Sequence, residues 1–469
     1  MTIVVWSSEG QEVTTLSTGG ASKLLDPLFR TQEMCAIFSD AHFLECMIAF
    51  ELALSRALAK TGVAPAEAIP VVEAKEVMAA LEPGKLAAQA AQAGNVAIPF
   101  VNELRAFIAR SNPTAAKFVH MGATSQDVLD TALVLQLREA LELLDKDLAE
   151  LADSLASLTE RHKSTILAGR TWLQQGPPIT FGLKTAGWLS AIERHRARCK
   201  SVAGQARCLQ FGGAVGTLAA LQERGLDVAE ALAAELKLEL PDLPWHAHRE
   251  RIAEVATSLG LLTATLGKIA RDISLLMQTE FGEAAEPAAA GRGGSSTMPH
   301  KRNPVGCAAV LAAAVRVPGL VATMLSAAVQ EHERGLGGWQ AEWEVLPEIC
   351  KLAAGALSHT LFVVKGLIVD EQRMQENLGI THGLIFAEGV AMALTGKLGR
   401  SEAHTRVEEL CRRAIRNGRH LREEIVKDEE VRSQLSDAEM ERLFQPQNYL
   451  GCAEAFAERV LARRKKNRQ

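Results

Sequence analysis

Tyrosine is almost absent from this chain. One occurs in 469 residues, and aromatic residues of all kinds make up 4 %. Strands favour aromatic and β-branched side chains, and no segment sustains the apolar/polar alternation of a half-buried strand. The eight cysteines, at 35, 46, 199, 208, 307, 350, 411 and 452, include no Cys-x-x-Cys pair. That spacing suggests neither a zinc site nor a dithiol redox centre, and the cysteines read as reduced, mostly buried thiols of a cytosolic protein. Positive charge is not in excess. The formal net charge is −5, so no global basic field exists to hold nucleic acid. No unbroken apolar run reaches the ~18 residues that a bilayer span needs, so no membrane partner is expected. Met1–Gly20 has neither Lys nor Arg. It makes a poor signal peptide and is read as a disordered extension over residues 1–20. The basic tail Arg463–Arg468 reads as a solvated helix end, with a nucleic-acid arm as the alternative.

What is present is helical periodicity. Val134, Leu137, Leu141, Leu144, Leu148, Leu151, Leu155 and Leu158 recur at alternating spacings of three and four. Such a heptad seam belongs to a helix packed lengthwise against others. The stretch from Glu250 to Glu280 has no proline and is apolar at helical spacing. Cys307–His332 is alanine-rich, with Pro318 as an expected kink. Asp26–Ala115 reads instead as shorter helices broken by Pro65, Pro70, Pro83, Pro99 and Pro113. The helices after Asp370 are again shorter and more charged. The expectation is an all-α protein in three helical domains, over residues 21–128, 129–366 and 367–469, with a long central bundle.

Three segments between helices carry unusual chemistry. His120-Met-Gly-Ala-Thr-Ser-Gln-Asp127 continues to Asp130-Thr131. Its hydroxyls fit helix capping, and they fit an anion site at a helix N-terminus equally well. Capping alone leaves His120, Gln126 and Asp127 unexplained. Gly169-Arg-Thr-Trp-Leu-Gln174, followed by Pro177 and Pro178, reads as a loop or helix start. Gly291–Pro304 concentrates Ser, Lys, His, Arg and Asn among three glycines and two prolines. By composition alone, a linker and a functional loop explain it equally.

The run Gly294-Ser-Ser-Thr-Met-Pro-His-Lys-Arg-Asn-Pro304 resembles the G-S-S-x-M-P-x-K-x-N-P signature of the fumarase/aspartase superfamily, with every fixed position matched. The His120–Thr131 segment resembles that family's T-S-x-D motif, and Gly169–Gln174 its T-H-x-Q motif, in the family's order. The likeness runs from about Leu24 to near the C-terminus. It implies a homotetramer whose bundles form a twenty-helix core, with each active site built from the three segments of three different subunits.

The resemblance also implies the chemistry. Family members make or break a bond β to a carboxylate, with a base working on the α proton. Ser295 occupies the base's position. Lys301, the helix N-termini and a closed, dry loop would favour its alkoxide. Lys301 and Asn303 are expected on a substrate carboxylate, and Thr124, Ser125 and Gln126 on another or on the developing aci-carboxylate. One departure stands out. Family lyases that expel an amine use the T-H-x-Q histidine to protonate it, and here that position is Trp172. A carboxylate leaving group, with a conjugate-acid pKa near ~4, needs no such proton. Trp172 therefore points to lactone chemistry, with His120 as the alternative acid.

The wider pattern includes Gly94-Asn-Val-Ala-Ile-Pro99, Leu209-Gln-Phe-Gly-Gly-Ala214, Pro244-Trp-His246 and Gln330-Glu-His-Glu-Arg334. It resembles the superfamily's bacterial carboxymuconate cycloisomerases. That likeness implies addition of one carboxylate of a small tricarboxylate across a double bond. Lys301 is the first candidate substrate cation; Arg334, Arg249, Arg302 and Arg251 are weaker ones, since surface or interface ion pairs explain them as well. No cofactor or metal is implied. Cycloisomerisation of a sulfonated muconate, adenylosuccinate cleavage, and a non-catalytic structural role are the competing readings.

Overall fold

The computed structural model describes residues 24–289 and 291–468, preceded by a short antiparallel pairing of Val5–Trp6 with Glu12–Val13. Apart from that pairing, the extension expected over residues 1–20 lies outside the described residues. Twenty α-helices account for most of the rest, so the all-α expectation holds. Five are long: Ser125–Arg161, Phe181–Ala206, Glu250–Leu276, Val305–Ala327 and Gly338–Lys365. Pro318 lies within an uninterrupted helix.

The contacts group the chain into two compact units. One comprises Met1–Ala140, Arg207–Ala256 and Arg316–Ala356; the other comprises Leu141–Ala206, Thr257–Val315 and Leu357–Gln469. Four of the five long helices begin in one unit and end in the other. The three expected domains are chain segments, and their boundaries differ from those of these units.

In the first unit, Ser39 starts the Asp40–Lys60 helix by accepting the His42 N–H at 3.2 Å. That helix buries Met47, Ile48, Phe50, Leu54 and Leu58. In the second unit, Val390, Leu394, Val407, Leu410, Leu421 and Ile425 form an apolar cluster among the C-terminal helices. The sole tyrosine, Tyr449, donates its hydroxyl to the Leu443 carbonyl at 2.6 Å. The basic tail is not wholly solvated. Arg464 is 5 % exposed and pairs with Asp153 at 2.7 Å and with Glu193.

The second unit also holds an antiparallel hairpin, Ile166–Thr171 with Gln174–Thr180, where the sequence suggested a loop or helix start. Only Trp172 and Leu173 separate the strands, at φ 51° and 65°. A two-residue turn with both φ positive matches the twist of paired strands. Asn-Gly is its usual signal, and its absence hid the hairpin. Pro177 and Pro178 lack an N–H, which an edge strand tolerates.

Two helices, Glu250–Leu276 and Val305–Ala327, are long and apolar enough to cross a membrane. Lys268 interrupts the first apolar stretch and Arg316 the second, so neither is an unbroken apolar run. The most apolar stretch of the first is 61 % buried in the fold and that of the second 28 %. The first therefore serves as a core helix.

All eight seam residues from Val134 to Leu158 are at most 2 % exposed. Leu148→Ala is expected to lower stability by about 2–5 kcal/mol through lost burial and a residual cavity. Denaturant unfolding measures this; a midpoint equal to that of the parent would show that the seam is not core.

Candidate active site

The start of the Ser125–Arg161 helix is fixed by one carboxylate. Asp127 is fully buried. Its Oδ2 accepts the Thr124 and Gly213 N–H groups at 2.9 Å each. Its Oδ1 accepts the Gly212 N–H at 3.0 Å and contacts His246 Nε2 at 2.7 Å. Gly213 has φ +69°, and an added Cβ would meet the Gly122 carbonyl at 3.0 Å, which accounts for glycine there. Capping thus falls to Asp127, and the hydroxyls before it serve something else.

That something is Arg334. Its Nη1 donates to Thr124 Oγ1 at 2.8 Å, its Nη2 to Ser125 Oγ at 3.3 Å, and its Nε to Gln126 Oε1 at 3.3 Å. A guanidinium beside a helix N-terminus adds positive charge to positive partial charge, an arrangement that favours an anion nearby. His120, a few residues upstream, sits at φ 64° with Nδ1 2.6 Å from Glu51 Oε1. The structure therefore brings His120, Thr124, Ser125 and Arg334 into one region of the first unit.

Two expected substrate ligands are corrected. Arg249 is 2 % exposed. It donates to Asp130 at 2.7 and 3.0 Å and to both oxygens of Glu342, and it stacks 4.8 Å above the Trp245 ring. Burial alone would weaken its charge, but Asp130 and Glu342 outweigh burial and hold it protonated. Every nitrogen of its guanidinium is engaged, so none remains for a substrate. Gln126 is 1 % exposed and donates to Asp130 at 3.2 Å and to the His246 carbonyl at 2.9 Å. It connects this buried network to Arg334.

In the second unit the signature loop is closed at its base. Glu286 accepts the Gly306 and Cys307 N–H groups at 3.1 and 2.7 Å, capping the Val305–Ala327 helix from across the loop. The Asn303 N–H donates to the Gly293 carbonyl at 2.8 Å. Gly293 has φ +71°, and a Cβ there would lie 2.7 Å from the Asn303 carbonyl. Arg292 lies 4.0 Å above the Phe362 ring. At the tip, Ser295 Oγ accepts the Met298 N–H at 3.0 Å and the Thr297 N–H at 3.3 Å. Two donors on one hydroxyl oxygen favour its ionised form. Lys301 is exposed, and Asn303 Nδ2 lies 3.4 Å from the Gly294 carbonyl.

Trp172 is 97 % exposed at the hairpin tip. The strand leading to it is anchored by Arg170, which forms a two-pronged pair with the buried Glu283 at 2.7 and 2.9 Å. Glu51 and Glu286 escaped sequence reasoning. Each is a lone glutamate in ordinary context, and only the fold gives it a partner.

Residues 29–319 match a sequence family described as lyase, and residues 383–460 match the adenylosuccinate lyase C-terminus. The chain belongs to this lyase family, within the fumarase/aspartase superfamily. Among its relatives is the 3-carboxy-cis,cis-muconate cycloisomerase of Pseudomonas aeruginosa, 53 % identical over 94 % of this chain and 96 % of that protein. The Pseudomonas putida enzyme of the same name is 50 % identical over 90 % of this chain and all of its own length. The crystal structure of the 3-carboxy-cis,cis-muconate lactonizing enzyme from Pseudomonas putida superposes with a TM-score of 0.89, at 47 % identity, over 95 % of this chain and 99 % of that one.

Arg249→Ala leaves Asp130 and Glu342 buried without their cation. It is expected to cost about 3–5 kcal/mol, against about 1–2 kcal/mol for Arg334→Ala. Thermal melts of both variants check this; an Arg249→Ala melt no lower than that of Arg334→Ala would contradict a structural role for Arg249.

Proposed function

We propose that this protein is a cycloisomerase that converts 3-carboxy-cis,cis-muconate to 4-carboxymuconolactone, a step in protocatechuate degradation. The observation that carries the reading is the signature loop, with Ser295 Oγ held by two backbone N–H donors, in a chain about half identical to cycloisomerases of that name. One substrate carboxylate adds to the double bond, and a proton arrives at the carbon α to another carboxylate. The ionised substrate has three carboxylates and the product two, so one proton is taken up per turnover.

Ser295 delivers that proton, and the Thr297 and Met298 N–H groups stabilise the oxygen it leaves behind. Lys301 and Asn303 hold the carboxylate next to the protonated carbon. Arg334, Thr124 and Ser125 receive another, with His120 beside them. Run backwards, the reaction expels a carboxylate, which needs no acid. An indole N–H is too weak an acid to assist an amine, so Trp172 suits lactone formation and disfavours the succinyl-amine lyases. The adenylosuccinate lyase description of the C-terminal segment names a shared domain and says nothing of that position.

The same reading makes the protein a homotetramer with sites shared among three subunits. Two features support it. Trp172 stands almost wholly exposed on an anchored hairpin. The Val305–Ala327 stretch, apolar enough for a membrane, is only 28 % buried within one chain. Surfaces of that kind mark association sites.

Ser295→Ala is expected to lose at least ~100-fold in turnover with its fold intact, and Lys301→Ala to lose activity as well. Spectrophotometric assays on 3-carboxymuconate, 3-sulfomuconate and adenylosuccinate side by side measure both; near-normal turnover by Ser295→Ala would remove the serine from its role. Sustained cleavage of adenylosuccinate would defeat the leaving-group argument. Sedimentation is expected to give a tetramer, and a stable monomer at micromolar concentration would rule out shared sites.

A further inference from the structure

His120 and Glu51 form a pair that the reaction as described leaves without a purpose. Glu51 lies on the Asp40–Lys60 helix and is 1 % exposed. Its Oε1 is 2.6 Å from His120 Nδ1, and its Oε2 is buried with no hydrogen-bond partner among the described residues. A buried carboxylate with one free oxygen is costly unless a cation stands against it. The 2.6 Å separation fits a charge-assisted bond.

Two further charged groups act on the ring. Asp127, at the start of the Ser125–Arg161 helix, favours its protonation, and Arg105, on the Ala97–Ala109 helix, opposes it. Burial works against the charged ring most strongly, but the Glu51 hydrogen bond and charge together with Asp127 outweigh it, and the His120 pKa is raised above the ordinary histidine value. The ring is not sealed. The His120 side chain keeps 18 % of its exposure, and no protein group bonds Nε2 among the described residues.

We propose that Glu51 is a positioning residue that holds His120 as an imidazolium, with Nδ1–H on the carboxylate and Nε2–H presented to a substrate carboxylate. The inference rests on the cycloisomerase reading and deepens it. The region around Thr124 then carries two fixed cations, His120 and Arg334, for a substrate with three carboxylates. Of the two, the imidazole is the one whose charge changes near neutral pH. The protonated ring is the working form, so activity is present below its pKa and is lost as pH rises through it. The pair's contribution to stability follows the same sign.

The test reads His120 with and without substrate. Exchange of the imidazole Cε1 proton, followed peptide by peptide by mass spectrometry against pH, gives the midpoint of each histidine in the whole protein. The expected midpoint for His120 lies above the ordinary ~6.5, and Glu51→Gln is expected to lower it by about one pH unit or more. The alkaline limb of kcat/KM is expected to move with it, chiefly through KM, and Glu51→Asp to restore part of the shift. A Glu51→Gln midpoint equal to that of the parent overturns the proposal, as does a parent midpoint at or below ~6.5. Should Glu51→Gln not fold, His120→Asn decides. Loss of the alkaline limb supports the proposal, and an unchanged limb overturns it. A protein that turns over no muconate defeats the functional reading alone, because the exchange midpoints are measured without substrate.

Discussion

Much of the first unit depends on where Arg249 sits. It is a fully buried cation between two buried carboxylates, Asp130 and Glu342. Neutral donors complete the shell around Asp130. Trp339 Nε1 donates to Asp130 Oδ1 at 2.9 Å, and the Gln126 and Gln210 amides donate to its Oδ2 at 3.2 Å. The cluster ties the Ser125–Arg161 helix to the Gly338–Lys365 helix, and the segment just before the latter carries Arg334. Gln126 bonds Asp130 with its nitrogen and Arg334 with its oxygen. Its side chain is thereby oriented by charge, which also fixes where the Arg334 guanidinium rests. Such a network is weak evidence for stability, and its use here is registry.

The signature loop meets the opposite demand. In the proposed mechanism the Ser295 hydroxyl carries negative charge, and that role calls for rigid donors around a segment free to admit substrate. Glu286 and the Gly293–Asn303 contact fix the two ends. Between them the backbone turns so that two N–H groups converge on Ser295 Oγ. Backbone donors cost no side-chain entropy to hold in place. Gly293 is the residue on which this closure turns, since a side chain there would strike the returning strand of the loop.

The sequence made the helical class and the signature loop legible for physical reasons. A seam with unbroken three–four spacing has few solutions other than a packed helix, and all eight of its residues are buried. The loop's composition left a linker and a functional loop equally open, and its match to the signature at every fixed position decided between them. The hairpin at residues 166–180 was hidden because its turn uses Trp and Leu where glycine or asparagine is usual. Arg249 was open to two readings, substrate cation or ion pair, because an arginine among motif residues shows neither until its partners are known. Asp130 and Glu342 lie 119 and 93 residues away from it, so no local pattern reveals the pairing. Glu51 and Glu286 are the same problem at smaller scale.

Trp172 joins these threads. A two-residue turn with both φ positive strains ordinary side chains, and a fully exposed indole forgoes its burial. In the proposed tetramer a neighbouring subunit would offset both costs. The anchoring is local and strong: Arg170, two residues earlier, is locked to the buried Glu283, so the tip is held out rather than left loose. In the cycloisomerase reading, the tip enters a neighbouring subunit's site at the place where relatives that expel amines keep an acid. An apolar plate there excludes water from a site where an oxyanion and carboxylates meet. Removing water strengthens each charge contact that remains. In that reading the carboxylate leaving group makes the acid dispensable, and an indole at the position would keep water out where a family lyase keeps its imidazole.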